Sequence, residues 1–127
     1  MIRHIIIVVL VMLGIASCRA AHPYDLTPQQ FKERIANDSN AVVLDVRTPE
    51  EYQAGHLQNA VNLDYNNPET FTMGCESLEP SKTYYVYCRS GRRSDAACRQ
   101  LQTYGLNVYN MCGGMQEWTK CGYPVVK

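Results

Sequence analysis

Three arginines follow Cys88 within five positions: the stretch from Tyr85 to Cys98 reads YVYCRSGRRSDAAC. A thiol set among Arg89, Arg92 and Arg93 is a candidate nucleophile, because nearby positive charge favours the thiolate and the thiolate is the reactive form. The loop between them adds to this. Gly91 can take the positive φ that a tight wrap needs. Successive backbone N–H groups of such a loop, with the first N–H groups of the next helix, converge on the point where the sulfur of Cys88 would sit. That cradle would also hold an extra anionic sulfur or a bound oxyanion. Ser90 is read as a hydrogen-bond donor, and Ser94 as the N-cap of the helix that follows.

The chain of 127 residues is long enough for one domain, and its 46% apolar content allows a real core. It carries 12 basic and 12 acidic residues, a balance that argues against a nucleic-acid binder working by bulk charge. The positive charge is local, which points to a small anionic ligand. The three histidines are scattered and no CxxC occurs, so no metal site and no cofactor are expected.

The elements that must position Cys88 are legible in outline. LTPQQFKERIAN opens a helix with Thr27 as N-cap, Pro28 at the first helical position and Gln30 closing a capping box. TPEEY repeats the signal with Thr48, Pro49 and Glu51, and Gly55 stops that helix after Ala54. Short β-branched and apolar runs at 41–46, 60–63, 83–88 and 107–111 read as strands, the first of them buried on both faces. Between them lie a helix in NNPETFTMGCESLEP, a helix in SDAACRQLQTYG and a last short one in GGMQEWTKCG. Strands alternating with helices imply an α/β domain with parallel pairing. Ligands in such sheets bind beyond the carboxyl ends of the strands, where Cys88 is placed.

VLDVRTPEEYQAGHLQNAVNL, YCRSGRRS and VYNMCGGMQEWTKCGYPV stand in this order and together resemble the signature blocks of the rhodanese family. The resemblance runs from about Leu26 to Val126. It implies a three-layer α/β sandwich around a five-stranded, mainly parallel sheet. It also implies sulfane-sulfur transfer through a persulfide on Cys88. Related phosphatases and arsenate reductases place an arginine six residues after the cysteine; position 94 here is serine, so the loop resembles the shorter sulfurtransferase type. Arg92 and Arg93, with Arg89, are then expected to attract a small anionic sulfur donor such as thiosulfate. The acceptor would be a thiol or, in an assay, cyanide. Asp45, Arg47 and His56 are read as supports for loops near the site, and Gly113 and Gly114 as positions of close backbone approach. Two rival readings remain: a thiol–disulfide protein using Cys88 with Cys112, and a non-catalytic module that binds a partner.

The N-terminus reads as an export signal. A charged MIRH precedes an apolar run from Ile5 to Ala16, too short to span a bilayer comfortably and suited to a signal peptide over 1–17. IASC resembles a lipobox, which makes Cys18 the expected site of lipidation, residues 18–25 a tether and 26–127 the domain. The expectation is a monomer held by an N-terminal lipid at the bacterial envelope, facing the periplasm, with Arg19 leaning it towards the outer membrane. Export permits disulfides. Five cysteines then remain, Cys75, Cys88, Cys98, Cys112 and Cys121, and one reactive thiol with up to two disulfides is the simplest arrangement. If Cys112 lies beside Cys88 across two adjacent strands, it could act as a resolving thiol.

Overall fold

The computed structural model describes residues 20–127; the expected signal peptide and Cys18 lie outside the described residues. Five strands and five helices alternate: β1 (Asp25–Leu26), α1 (Pro28–Ala36), β2 (Ala41–Asp45), α2 (Pro49–Ala54), β3 (Val61–Asn62), α3 (Pro68–Glu76), β4 (Thr83–Tyr87), α4 (Arg92–Thr103), β5 (Asn107–Met111) and α5 (Gly114–Lys120). They build one sheet in the order β1-β5-β4-β2-β3. Every pair is parallel.

Both expected capping boxes form. Thr27 accepts from the Gln30 N–H and Thr48 from the Glu51 N–H, and each glutamine or glutamate side chain returns to its cap residue's own N–H. These two helices therefore start where the sequence signals them, and α1 does so in the register that points Phe31 into the core.

The central strand β4 is apolar along its length, and the sheet uses both its faces. Tyr84, Val86 and Cys88 join Leu44, Val46, Phe71, Cys75, Ala97, Cys98 and Leu101 under α3 and α4. Tyr85 and Tyr87 join Leu26, Phe31, Val43, Met111 and Trp118 on the other face, under α1 and α5. This alternation is the period of a strand covered on both sides, and it produces the expected three-layer sandwich. The C-terminal segment is pinned by an antiparallel bridge in which His56 and Val126 exchange both backbone hydrogen bonds.

The chain leaves β2 towards β3 on one side and leaves β4 towards β5 on the other. The carboxyl ends of β2 and β4 thus flank the point where strand order reverses, which is where open parallel sheets form their ligand crevice. Asp45 ends β2, and Cys88 follows the last residue of β4.

The structure adds one strand that no sequence pattern announces. Asp25, placed by sequence in the tether, opens β1 and pairs with Asn110, and Leu26 pairs with Met111. Two residues carry no periodicity, so only the ladder with β5 defines them.

Candidate active site

Cys88 is fully buried, and its sulfur sits inside the turn that follows β4. The Gly91 N–H donates to Sγ at 3.1 Å and the Ser94 hydroxyl donates at 3.4 Å. Gly91 adopts φ 93°, and a Cβ there would lie 3.0 Å from the Gly113 nitrogen, so both its conformation and its surroundings call for glycine. The loop's outer side is held by the first turn of α5: the Met115 N–H donates to the Cys88 carbonyl at 2.8 Å and the Gln116 N–H to the Arg89 carbonyl at 3.0 Å. That approach requires Gly114, where a Cβ would fall 2.5 Å from the Cys88 carbonyl oxygen. Gly113 and Gly114 are thus positions of close approach, one against the Glu117 side chain and one against the Cys88 loop.

Ser94 corrects the sequence reading. The helix N-cap is Gly91, with left-handed backbone and no side-chain cap, so α4 starts at Arg92 and places Ser94 at its third position. There Ser94 is buried and its hydroxyl is turned on the Cys88 sulfur. The thiol at the centre of the turn takes the hydroxyl that the sequence assigned to the helix end.

The arginines separate into three situations. Arg89 is exposed and lines a cleft of about 330 Å³ with Arg47, Glu51, Ala54, Met115, Gln116 and Thr119. Arg92 is exposed on the first turn of α4, and Ser90 is exposed at the tip of the loop. Arg93 turns back across the loop to α2, where its Nη1 and Nη2 donate to Glu51 Oε1 and Oε2 at 2.7 and 3.0 Å. The Glu51 carboxyl is pulled down to about 2, first by the hydrogen bonds from Arg93, with burial opposing and Thr48 assisting. The Arg93 guanidinium is held above its ordinary value first by the hydrogen bonds to Glu51; burial opposes, and the charges of Glu51, Cys88 and Asp45 add to it.

Beneath the cleft lies a second pair that is almost dry. Asp45 is fully buried and Arg47 is 6% exposed. Arg47 donates from its backbone, Nε and Nη2 to Asp45, with the shortest contact 2.7 Å, and from Nη2 to the Gly55 carbonyl at 2.6 Å. The Tyr87 hydroxyl donates to Asp45 Oδ2 at 2.6 Å and accepts from the Leu57 N–H at 3.0 Å. Burial raises the Tyr87 phenol well above its usual range, and Asp45 raises it further. Burial works against the charge of Arg47, but Asp45 more than offsets it. Asn62 adds two hydrogen bonds from Nδ2, to the carbonyls of Asp45 and Arg47. This network ties β2, β3, β4 and the end of α2 together. His56 is likewise a brace: Nδ1 lies 2.9 Å from the Tyr52 carbonyl, and the ring stacks on Tyr52 at 3.8 Å.

Sequence reasoning named Glu51 only as a capping residue and did not single out Tyr87 or Asn62. A carboxylate one helix away from an arginine-rich loop is the signal that could have found Glu51; Tyr87 and Asn62 reach Asp45 only through strand pairing.

The cysteine arithmetic also changes. Cys75, Cys88, Cys98 and Cys121 are free thiols. Cys112 is not among the free thiols. Of the up to two disulfides that the count allowed, none involves Cys75, Cys98 or Cys121; Cys75 and Cys98 are each buried in the core beneath α3 and α4. Burial pushes the Cys75 thiol up to about 11 and raises Cys98 further, so neither is a ready nucleophile. Carrying the Val86–Asn110 register of β4 and β5 two residues further sets Cys112 opposite Cys88. The two sulfurs are not bonded to each other, since Cys88 is free.

Comparison with known proteins agrees with this architecture. The model of the rhodanese-like domain matches residues 27–121. The thiosulfate sulfurtransferase GlpE of Pseudomonas entomophila is 35% identical over 85 residues, covering 66% of this chain and 74% of that protein. The putative sulfur carrier protein YrkF of Bacillus subtilis is 31% identical over 96 residues, covering 75% of this chain; the chain spans 50% of that relative's length. Among solved structures, a rhodanese-related protein from Thermoplasma volcanium superposes with a TM-score of 0.72 at 35% identity, covering 80% of this chain and 96% of that one. A parallel sheet in this order, a thiol at the end of its central strand and a family match over nearly the whole described domain lead to one assignment: the chain belongs to the rhodanese-like domain family.

Proposed function

We propose that the protein is a sulfurtransferase that carries a sulfane sulfur on Cys88. The observation that supports this most directly is the free Cys88 sulfur at the centre of a turn, with the Gly91 N–H at 3.1 Å and the Ser94 hydroxyl at 3.4 Å. These donors can stabilise a thiolate and, once sulfur is bound, a persulfide anion. The six-residue turn ends in serine and not in the arginine that a phosphate-sized loop carries, and the name of the Pseudomonas relative points to thiosulfate as donor.

The reaction is two displacements. The Cys88 thiolate attacks the outer sulfur of thiosulfate; the sulfur–sulfur bond of the donor breaks, and its electron pair leaves with sulfite. Cys88 then holds a persulfide anion. A thiolate acceptor, or cyanide in an assay, attacks the outer sulfur, takes it away as a persulfide or thiocyanate, and restores the Cys88 thiolate. No general base is needed once the thiolate exists. Arg89, on the cleft wall, and Arg92, on the exposed first turn of α4, draw in the anionic donor. The same reading places the domain at the envelope through lipidated Cys18, facing the periplasm, where an acceptor thiol must be one kept reduced.

The experiment is to give the reduced domain thiosulfate and then cyanide. Thiocyanate and a one-sulfur mass gain on the Cys88 peptide are expected, and Cys88→Ser should abolish both. Absence of both signals in the native protein would sink the proposal.

A further inference from the structure

A carboxylate is out of place in a cleft that receives an anion, and Glu51 is there. It lines the cleft with Arg89 and Arg47. It also holds both terminal nitrogens of Arg93, an arginine five residues from the nucleophile in the same loop and helix. Arg47 cannot meet a ligand freely, because its Nε and Nη2 are taken by Asp45 and the Gly55 carbonyl. The charge near Cys88 that an anionic donor could recruit therefore comes down to exposed Arg89 and Arg92 and to Arg93, which the resting protein has given to Glu51.

The Glu51–Arg93 pair is built to exchange. Its side chains keep 29% and 25% of their surface exposed, so water can take over from either partner. Glu51 has a place to return to: Oε1 already accepts from the Thr48 N–H at 3.3 Å and the Thr48 hydroxyl at 3.2 Å. These capping contacts survive the loss of Arg93. Solvent screens a partly exposed pair of this kind, and the charge of a doubly anionic ligand can compete for it.

We infer that Glu51 is a resident anion that occupies Arg93 in the empty site and yields it to an incoming anionic donor, which makes Glu51 the residue that sets how strongly donor charge is rewarded. This inference rests on the reading of Cys88 as the nucleophile and deepens it. In the empty site the pair keeps the loop's positive charge partly neutralised. When the donor enters, one negative charge replaces another on Arg93, and Glu51 falls back on its cap.

Glu51→Gln tests this with little disturbance, since glutamine at the third helical position preserves the capping box. Alkylation of Cys88 by iodoacetate and by iodoacetamide, followed site by site by peptide mass spectrometry, compares an anionic with a neutral reagent without requiring sulfur transfer. Exposed Cys121 is the internal control. Glu51→Gln should raise the iodoacetate-to-iodoacetamide rate ratio at Cys88 by about two- to fivefold, the range of an exposed ion pair, and leave the ratio at Cys121 unchanged. The KM for thiosulfate should fall by a similar factor. Arg93→Gln alone should raise that KM, and adding Glu51→Gln to it should change neither the ratio nor the KM. An unchanged or lower ratio in Glu51→Gln overturns the inference. So does a rise that persists without Arg93, because that would be simple removal of a negative charge. A native protein that makes thiocyanate but shows no ratio effect loses only the inference. A native protein that shows the ratio effect but makes no thiocyanate loses only the sulfur-transfer reading. A Cys88 that resists all three reagents overturns both.

Discussion

Two arginine–carboxylate pairs stand at the carboxyl end of this sheet, and they do opposite things. Asp45–Arg47 is at the end of β2, with side chains 0% and 7% exposed; Glu51–Arg93 links α2 to α4, with side chains 29% and 25% exposed. Both have a shortest contact of 2.7 Å. The chemistry of contact is therefore the same, and the surroundings decide the role. In the buried pair every hydrogen-bonding atom of Asp45 is occupied, by Arg47 and by Tyr87. Removing one partner strands a charge in a medium that cannot solvate it. In the outer pair both side chains are partly exposed, so solvent screens the contact and a ligand can compete for it. The first holds the frame of the site, and the second is free to answer to a ligand.

The largest expected effect breaks the buried pair. Asp45→Asn should cost about 3–5 kcal/mol of unfolding free energy, because Arg47 is left without its counter-charge; urea denaturation measures this, and a loss under 1 kcal/mol would show that Arg47 finds water. Tyr87→Phe should cost about 1.5–3 kcal/mol in the same measurement, since it removes a hydrogen bond to a charged group and leaves the Leu57 N–H without its acceptor. The outer pair should be far weaker. A double-mutant cycle with Glu51→Gln and Arg93→Gln should give a coupling of about 0.2–1 kcal/mol, and that coupling should shrink in 1 M salt, where the screening length falls to about 3 Å. A coupling that survives such salt would place Glu51–Arg93 with the structural pairs.

The smallest effect is a pH dependence with a definite sign. The folded-state value of Glu51, about 2, lies below its ordinary 4.5. A depressed carboxyl contributes stability that is complete above 4.5 and disappears as pH falls through about 2. The stability difference between the native protein and Glu51→Gln should therefore be constant at neutral pH and decline towards zero between pH 4.5 and 2, read from denaturation midpoints at each pH. A difference that grew on acidification would contradict the assignment.

Much of the fold was legible because its signals are local. Thr27–Gln30 and Thr48–Glu51 announce two helix starts, and both capping boxes form with the residues expected. The apolar runs ending near Asp45 and Cys88 announce strands, and two core clusters share them. β1 was not legible, since two residues gain their conformation only from β5. Ser94 was misplaced by the same limit: its type suits a helix cap, but the chain had already turned at Gly91. The pairing of cysteines was not legible either, because parity constrains a count and not a distance; Cys75 and Cys98 went into the core as small buried side chains.

The sequence by itself singled out the residue proposed to carry the chemistry. Cys88, a glycine three residues on and a serine at plus six are consecutive features of one loop, and a loop's reach is set by its own length and its own backbone freedom. Only the tertiary structure decided what surrounds that sulfur. The partner of Arg93 comes from α2, the partners of the loop carbonyls from α5, and the brace on Asp45 from β4 and β3. Each of these contacts joins segments far apart in the chain. Their strength depends on how much water packing leaves between them, and no local pattern of residues encodes that.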